Sequence, residues 1–211
     1  MKIAPSILDA NFCTLQAEID SLSMADRIHL DIMDGQYVPN LSFGHAVLKP
    51  IKFSNQIEAH LMVNNPENFF DMFHNLNCSI ISFHIENTGR EKAKLLLKNI
   101  QQRGLKAGIC VDGYTSEDFL DDEILSLSDQ ILLMSVKAGF GGQTFMKSVL
   151  EKTKNLRARG YRNEIEIDGG VNINNVKKLK DAGADIAVVG SFLMKNDFEK
   201  RTQLIKDFQA I

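Results

Sequence analysis

Short apolar, β-branched runs alternate along the chain with longer stretches in which charged residues are interrupted by apolar ones at helical intervals. The runs predict strands over Ile3–Leu8, Arg27–Met33, Ile57–Val63, Ile80–Ile85, Lys106–Val111, Gln130–Val136, Glu164–Asp168 and Ile186–Gly190. They lie about 26 residues apart, the length of one strand–helix unit with its loops. Between them, Glu91–Arg103 carries Leu95, Leu96 and Ile100 at helical spacing, and Met146–Arg159 behaves alike. Asn174–Ala182 sets Val176, Leu179 and Ala182 at steps of three, with Asn172 or Asn174 as the expected N-cap and Gly183 as the C-cap. Gly104 and Gly160 stand just past two of the helices.

Eight such units fit either a closed barrel or an open doubly wound sheet, and periodicity admits both. The unusual polar residues favour the barrel. They gather at the C-terminal ends of several different strands, where barrel enzymes place their chemistry. The expected fold is therefore an α/β, single (β/α)8 TIM barrel of parallel strands, with residues 1–211 as one domain. A chain of 211 residues is near the lower limit for that fold, so it has room for few insertions.

The most informative run is Arg27-Ile-His-Leu-Asp-Ile-Met-Asp-Gly35. Alternate strand residues share a face, so His29, Asp31 and Met33 project together while Ile28, Leu30 and Ile32 face the helices. Strands covered on both faces normally read as continuous apolar sequence. An imidazole and a carboxylate on the inner face therefore require partners, because an unpaired buried charge is costly. The third strand adds His60 and Met62, and the seventh ends at Asp168. Two His and two Asp converging at one barrel mouth make a credible site for zinc, manganese or ferrous iron; the alternative is a hydrogen-bonded polar network. His84 and Glu86 follow the fourth strand, as support for a ligand, as a substrate contact or as loop residues. His45 and His74 belong to no constellation and read as structural.

Glycines cluster after the last three strands, in Lys137-Ala-Gly-Phe-Gly-Gly-Gln143, Asp168-Gly-Gly-Val-Asn172 and Gly190-Ser191. Each pair alone reads as a turn. Together, on three neighbouring strand ends, they predict a phosphate cradle built from backbone N–H groups. Lys137 either adds positive charge there or is a solvated loop lysine. Met33, Met62 and Met134 lie at the ends of strands two, three and six, either as core filler or as a dry, polarisable lining around a reactive carbon.

Composition narrows the partners. A net charge of -3 lacks the broad basic footprint of nucleic-acid binding, while leaving room for a local phosphate pocket. Cys13, Cys78 and Cys110 are odd in number and too widely spaced for a zinc motif or a disulfide framework, which suits reduced thiols in the cytoplasm. No signal-peptide pattern opens the sequence, and no apolar run is long enough to cross a bilayer. The expectation is a cytoplasmic protein with no nucleic-acid or membrane partner.

The chain resembles the ribulose-phosphate 3-epimerases through motifs that run nearly end to end: Pro5-Ser-Ile-Leu8, His29-Leu-Asp-Ile-Met-Asp-Gly35, Val38-Pro-Asn40, His60-Leu-Met62, Met134-Ser-Val136, Gly139-Phe-Gly-Gly-Gln143, Asp168-Gly-Gly-Val-Asn172 and Gly190-Ser191. The resemblance implies one divalent metal held by His29, Asp31, His60 and Asp168. It implies that Asp31 and Asp168 are also the two acid/base groups, and that Met33, Met62 and Met134 line the intermediate. Ser6, His60, Gly139, Phe140, Gly141, Gly142, Gly169, Gly170, Gly190 and Ser191 would contact a small phosphorylated ketose, and the protein would be a homo-oligomer of the pentose phosphate pathway.

Four departures alter loops around that substrate. Lys137-Ala138 and Asp112-Gly113 each replace an Asn-Pro pair, Gln36 replaces a His, and Asp9 replaces a Ser. The leading expectation is 3-epimerisation of D-ribulose 5-phosphate to D-xylulose 5-phosphate through an enediolate. The alternatives are epimerisation of allulose 6-phosphate, a phosphosugar aldolase or decarboxylase, for which no convincing inward Lys is found, and a non-catalytic sugar-phosphate sensor.

Overall fold

The computed structural model describes residues Met1–Ile211. Eight parallel strands form one sheet: β1 (Lys2–Pro5), β2 (Arg27–Met33), β3 (Gln56–Met62), β4 (Ile80–His84), β5 (Lys106–Val111), β6 (Gln130–Met134), β7 (Glu164–Asp168) and β8 (Ile186–Val189). The order is β1-β8-β7-β6-β5-β4-β3-β2, every pairing is parallel, and the sheet curls back on itself. Closure between β1 and β2 rests on a parallel bridge from Ser6 to His29, supported by hydrogen bonds from Ile7 N to His29 O at 3.4 Å and from Asp26 N to Ile3 O at 3.2 Å. The fold is the expected (β/α)8 barrel.

Helices cover the outside: α1 (Leu15–Asp20), α2 (His45–Leu48), α3 (Phe70–Asn75), α4 (Ile85–Gln102), α5 (Asp122–Leu127), α6 (Ser148–Ala158), α7 (Val176–Ala182), α8 (Ser191–Met194) and α9 (Phe198–Ala210). Ile28, Leu30 and Ile32 of β2 join Ile57, Ala59 and Leu61 of β3 in the main core between sheet and helices. Burying each large aliphatic side chain contributes roughly 1.5–3 kcal/mol, so this layer holds the strands in register. Gly183 ends α7 in the left-handed region at φ 102, as expected of a C-cap, and Asn172 caps the turn that leads into the helix: its Oδ1 accepts from Asn174 N at 2.9 Å while Asn175 Oδ1 accepts from Asn172 N at 2.8 Å. The Asn172 carbonyl also accepts the backbone N–H groups of Asn175 and Val176. No helix is long and apolar enough to cross a membrane.

Inside the barrel the side chains are divided. Ala4, Ile186 and Val188 form one apolar patch, and Met33, Met62, Cys110, Leu132, Met134 and Val136 another. Between and below them runs a buried polar column. Arg27 pairs with Glu58 at 3.0 Å and Glu164 at 2.5 Å and donates to Gln130 at 2.8 Å, while Gln130 donates to Glu166 at 2.6 Å. Charged residues can be held there because nearly every one has a partner.

Candidate active site

β2, β3 and β7 bring four ligand-type side chains together at the C-terminal mouth of the barrel. His29, Asp31, His60 and Asp168 offer donor atoms that all lie within 4.8 Å of one another. His60 Nδ1 is 3.1 Å from Asp31 Oδ1 and 3.5 Å from Asp168 Oδ2, and His29 Nε2 is 3.4 Å from Asp31 Oδ1 and 3.8 Å from Asp168 Oδ2. Nitrogen and oxygen ligands about 2.0–2.2 Å from a common ion stand about 3–3.5 Å apart, so this set fits a divalent metal with little movement.

Electrostatics favour positive charge at the same point. Burial disfavours a charged His29, but Asp31 and Glu58 outweigh it and hold the ring well above its ordinary pKa. Burial acts on His60 in the same sense, and its hydrogen bonds to Asp168 and Asp31 again raise it. Asp31 is pulled well below the usual carboxylate range because the two imidazoles overcome its own burial. The ring nitrogens that face away are engaged: His29 Nδ1 with Glu58 Oε1 at 2.9 Å and His60 Nε2 with His84 Nε2 at 2.9 Å. That leaves His29 Nε2 and His60 Nδ1 turned toward the two aspartates.

Above this cluster opens a cleft of about 560 Å³. Ser6, Asp31, Met33, Met62, Met134, Gly139, Phe140, Gly141, Gly142, Asp168, Gly169, Gly170, Gly190 and Ser191 all line it, so the residues singled out on six strand ends converge on one space. His29 and His60 lie buried beneath and are not among the lining residues, although His60 was also expected at the substrate. Ser6 Oγ donates to Asp31 Oδ2 at 2.5 Å and accepts from Leu8 N at 3.2 Å. Asp31 therefore directs Oδ1 at the imidazoles and Oδ2 at Ser6.

Gly169 and Gly170 turn the chain sharply after Asp168, at φ 117 and 61. A Cβ on Gly169 would stand 2.5 Å from Val136 Cγ2, and one on Gly170 would stand 2.9 Å from Gln143 O and Phe145 N. Both positions require glycine for conformation and for space.

His84 and Glu86 lie behind His60 rather than in the cleft. His84 Nδ1 is 3.3 Å from Glu86 Oε2, and Glu86 Oε1 accepts from Asp112 N at 2.7 Å. Lys137 is exposed and does not line the cleft, and His45 and His74 are exposed on α2 and α3. The sequence reading did not single out Glu58, Glu166 and Arg27, although they repeat the signal that exposed His29 and His60: charge at alternate positions of an otherwise apolar strand. Asp9 was noted only as a departure from pattern, yet it too lines the cleft.

The profile described as the ribulose-phosphate 3 epimerase family matches residues 2–194. A ribulose-phosphate 3-epimerase of Helicobacter pylori strain J99 is 40% identical over 206 residues, spanning 95% of this chain and 94% of that protein. The Escherichia coli K12 protein of the same name is 38% identical over 208 residues, spanning 94% and 91%. Among solved structures, 3-hexulose-6-phosphate synthase superposes with a TM-score of 0.74 at 14% identity, covering 100% of this chain and 99% of that one, a likeness of fold alone.

Proposed function

The chain belongs to the ribulose-phosphate 3-epimerase family, and from that premise we propose that it interconverts D-ribulose 5-phosphate and D-xylulose 5-phosphate by proton transfer at carbon 3. One observation carries the reading. Two carboxylates from different strands, Asp31 on β2 and Asp168 on β7, line one cleft together with Met33, Met62 and Met134. Inverting a carbon next to a ketone requires a base on one face and an acid on the other. Two carboxylates that exchange those roles with reaction direction meet that need.

His29 through Nε2, His60 through Nδ1, Asp31 and Asp168 would hold the zinc, ferrous iron or manganese ion. When bound, that ion would polarise the ketone and stabilise the negative charge of the enediolate. Asp31 can act both as ligand and as base because its two oxygens face different ways, Oδ1 toward His60 and Oδ2 toward Ser6. The Ser6 hydroxyl holds the carboxylate plane and stands ready for a substrate hydroxyl. Met33, Met62 and Met134 keep water from the reacting carbon and carry no exchangeable proton there. Backbone N–H groups around Gly139–Gly142, Gly169–Gly170 and Gly190–Ser191 would receive the phosphate.

The test is deuterium incorporation. Metal-replete protein incubated with ribulose 5-phosphate in deuterated water should place deuterium on carbon 3 as the epimer forms, and chelation should stop it. Asp31→Asn and Asp168→Asn should each slow turnover by roughly 10²–10⁴-fold. Exchange at the wild-type rate in either variant would overturn the assigned roles. No exchange by the folded, metal-loaded protein would overturn the reaction itself.

A further inference from the structure

The glycine end of the cleft contains a residue that works against a phosphate. Asp9 follows β1 by four residues, and its carboxylate fills the space in front of Gly141. A Cβ on Gly141 would lie 3.0 Å from Asp9 Oδ2 and 3.4 Å from Oδ1. The same Oδ2 would lie 4.0 Å from a Cβ on Gly190, next to Ser6. Asp9 thus sits between two of the glycine segments assigned above to the phosphate. It is the third carboxylate of the lining, with Asp31 and Asp168, and no Lys, Arg or His lines the cleft to offset it.

The physical consequence follows from what each group can do. Backbone N–H groups donate hydrogen bonds but bring no net charge. A neutral hydroxyl side chain at this position could donate to an anion as well. A carboxylate only accepts. Asp9 is exposed, and even in full solvent like unit charges about 4 Å apart lose a factor of about five in affinity, with a dianion losing more. A ketose ending in a hydroxyl suffers no such penalty and can donate to Asp9.

We propose that Asp9 is a specificity-determining residue: it weakens the hold of the glycine cradle on a phosphate dianion and narrows the preference for phosphorylated over unphosphorylated ketoses. The proposal rests on the epimerase reading and on the phosphate lying among these glycines. Asp9 would face the far group of the substrate, away from Asp31 and Asp168, so its effect belongs in binding and not in proton transfer.

Kinetics of Asp9→Ser, Asp9→Asn and Asp9→Glu with ribulose 5-phosphate and with free ribulose test this, together with calorimetric titration of each protein with inorganic phosphate. The neutral variants should lower KM for the phosphorylated ketose and Kd for inorganic phosphate by about tenfold. KM for free ribulose should not fall, the effect should fall on KM rather than kcat, and Asp9→Glu, which keeps the charge, should show no gain in phosphate affinity. Unchanged phosphate affinity in both neutral variants would overturn the proposal. So would a weaker affinity, which would mean that Asp9 helps to hold the anion. If the wild type turns over neither ketose, the epimerase reading fails, and the phosphate titration alone still decides the part assigned to Asp9.

Discussion

His60 faces two environments through its two nitrogens. Nδ1 looks toward Asp31 and Asp168, and Nε2 toward His84 at 2.9 Å, with Cys110 Sγ at 3.5 Å. For Nδ1 to offer a lone pair to a metal, its proton must sit on Nε2 and be donated to His84, whose own Nδ1–H then passes to Glu86. Burial holds His84 below its ordinary pKa, which suits a neutral ring in that relay. Removing His84 as His84→Ala should weaken divalent-ion affinity by about 10–100-fold in a chelator competition; equal affinity would show that His84 does not orient His60. Burial also raises Glu86, but the hydrogen bonds from His84 and from Asp112 N prevail and hold it at about 2. A carboxyl depressed on folding stabilises the protein above its unfolded pKa, and that contribution is lost as pH falls toward the folded value. Glu86→Gln should therefore cost about 1–2 kcal/mol at pH 7, with the deficit closing as urea unfolding is repeated between about pH 4.5 and 2. His29, Asp31, His60 and Asp168 were readable from sequence because a charge on the inner face of a doubly covered strand has few explanations. Asp9 and Cys110 were not: one stands in a loop without periodicity, and the other is as apolar as the Ile and Val around it.

β7 shows how one alternation serves three tasks. Glu164, Glu166 and Asp168 share a face. Glu164 pairs with Lys2 and Arg27 at the base, Asp168 reaches the mouth, and Glu166 between them is wholly buried. Glu166 Oε2 accepts from Gln130, while Oε1 lacks a donor. Burial first, and then Glu58, push the Glu166 carboxyl well above its ordinary pKa, whereas Glu58 is lowered by His29 and Arg27 despite its burial. A proton on Glu166 donated toward Glu58 satisfies both. A carboxyl raised on folding stabilises the protein below its unfolded pKa and loses that contribution as pH rises. Glu166→Gln supplies the donor permanently and should be more stable than wild type by about 1 kcal/mol at pH 8, with the gap widening from pH 5 upward in urea unfolding. A wild type more stable at pH 8 would rule out the shared proton. Strand cores were fully legible here, and strand ends less so. Apolar runs that predicted strands to Leu8, Val63, Ile85, Val136 and Gly190 outlast ladders that end at Pro5, Met62, His84, Met134 and Val189. Val63 and Ile85 still pack in the outer core and Val136 in the inner patch, so the pattern reports burial beyond the last ladder bond. α4 is broken at Gly89, whose φ of 67 is not helical, and the helix beyond that break is the one predicted over Glu91–Arg103; only the short turn from Ile85 before it went unread.

The closure of the whole molecule was the least legible feature. Eight alternating units suit a closed or an open sheet equally. What distinguishes them is the β1–β2 seam, held by one bridge where the other seams are continuous ladders. His29 takes part in that bridge and also belongs to the ligand cluster, so the seam and the site share a residue. Asp31 and His60 lie on β2 and β3, while Asp168 lies on β7, whose shorter path to β2 runs through β8, β1 and the seam. An ion bound to all four therefore ties together strands on opposite sides of the weakest seam. Because the unfolded chain offers no such constellation, binding adds directly to global stability. At a free ion concentration of 100 times Kd the gain is about 2.7 kcal/mol. For a chain of this size each kcal/mol raises Tm by about 2–4 °C, so zinc or manganese should raise the melting temperature by about 5–10 °C over chelated protein. Asp168→Asn removes the only ligand beyond the seam and should abolish most of that shift. If Tm is the same with and without the ion, the four residues form a proton-sharing network rather than a metal site, and acid/base chemistry at Asp31 and Asp168 must proceed on imidazolium charge alone.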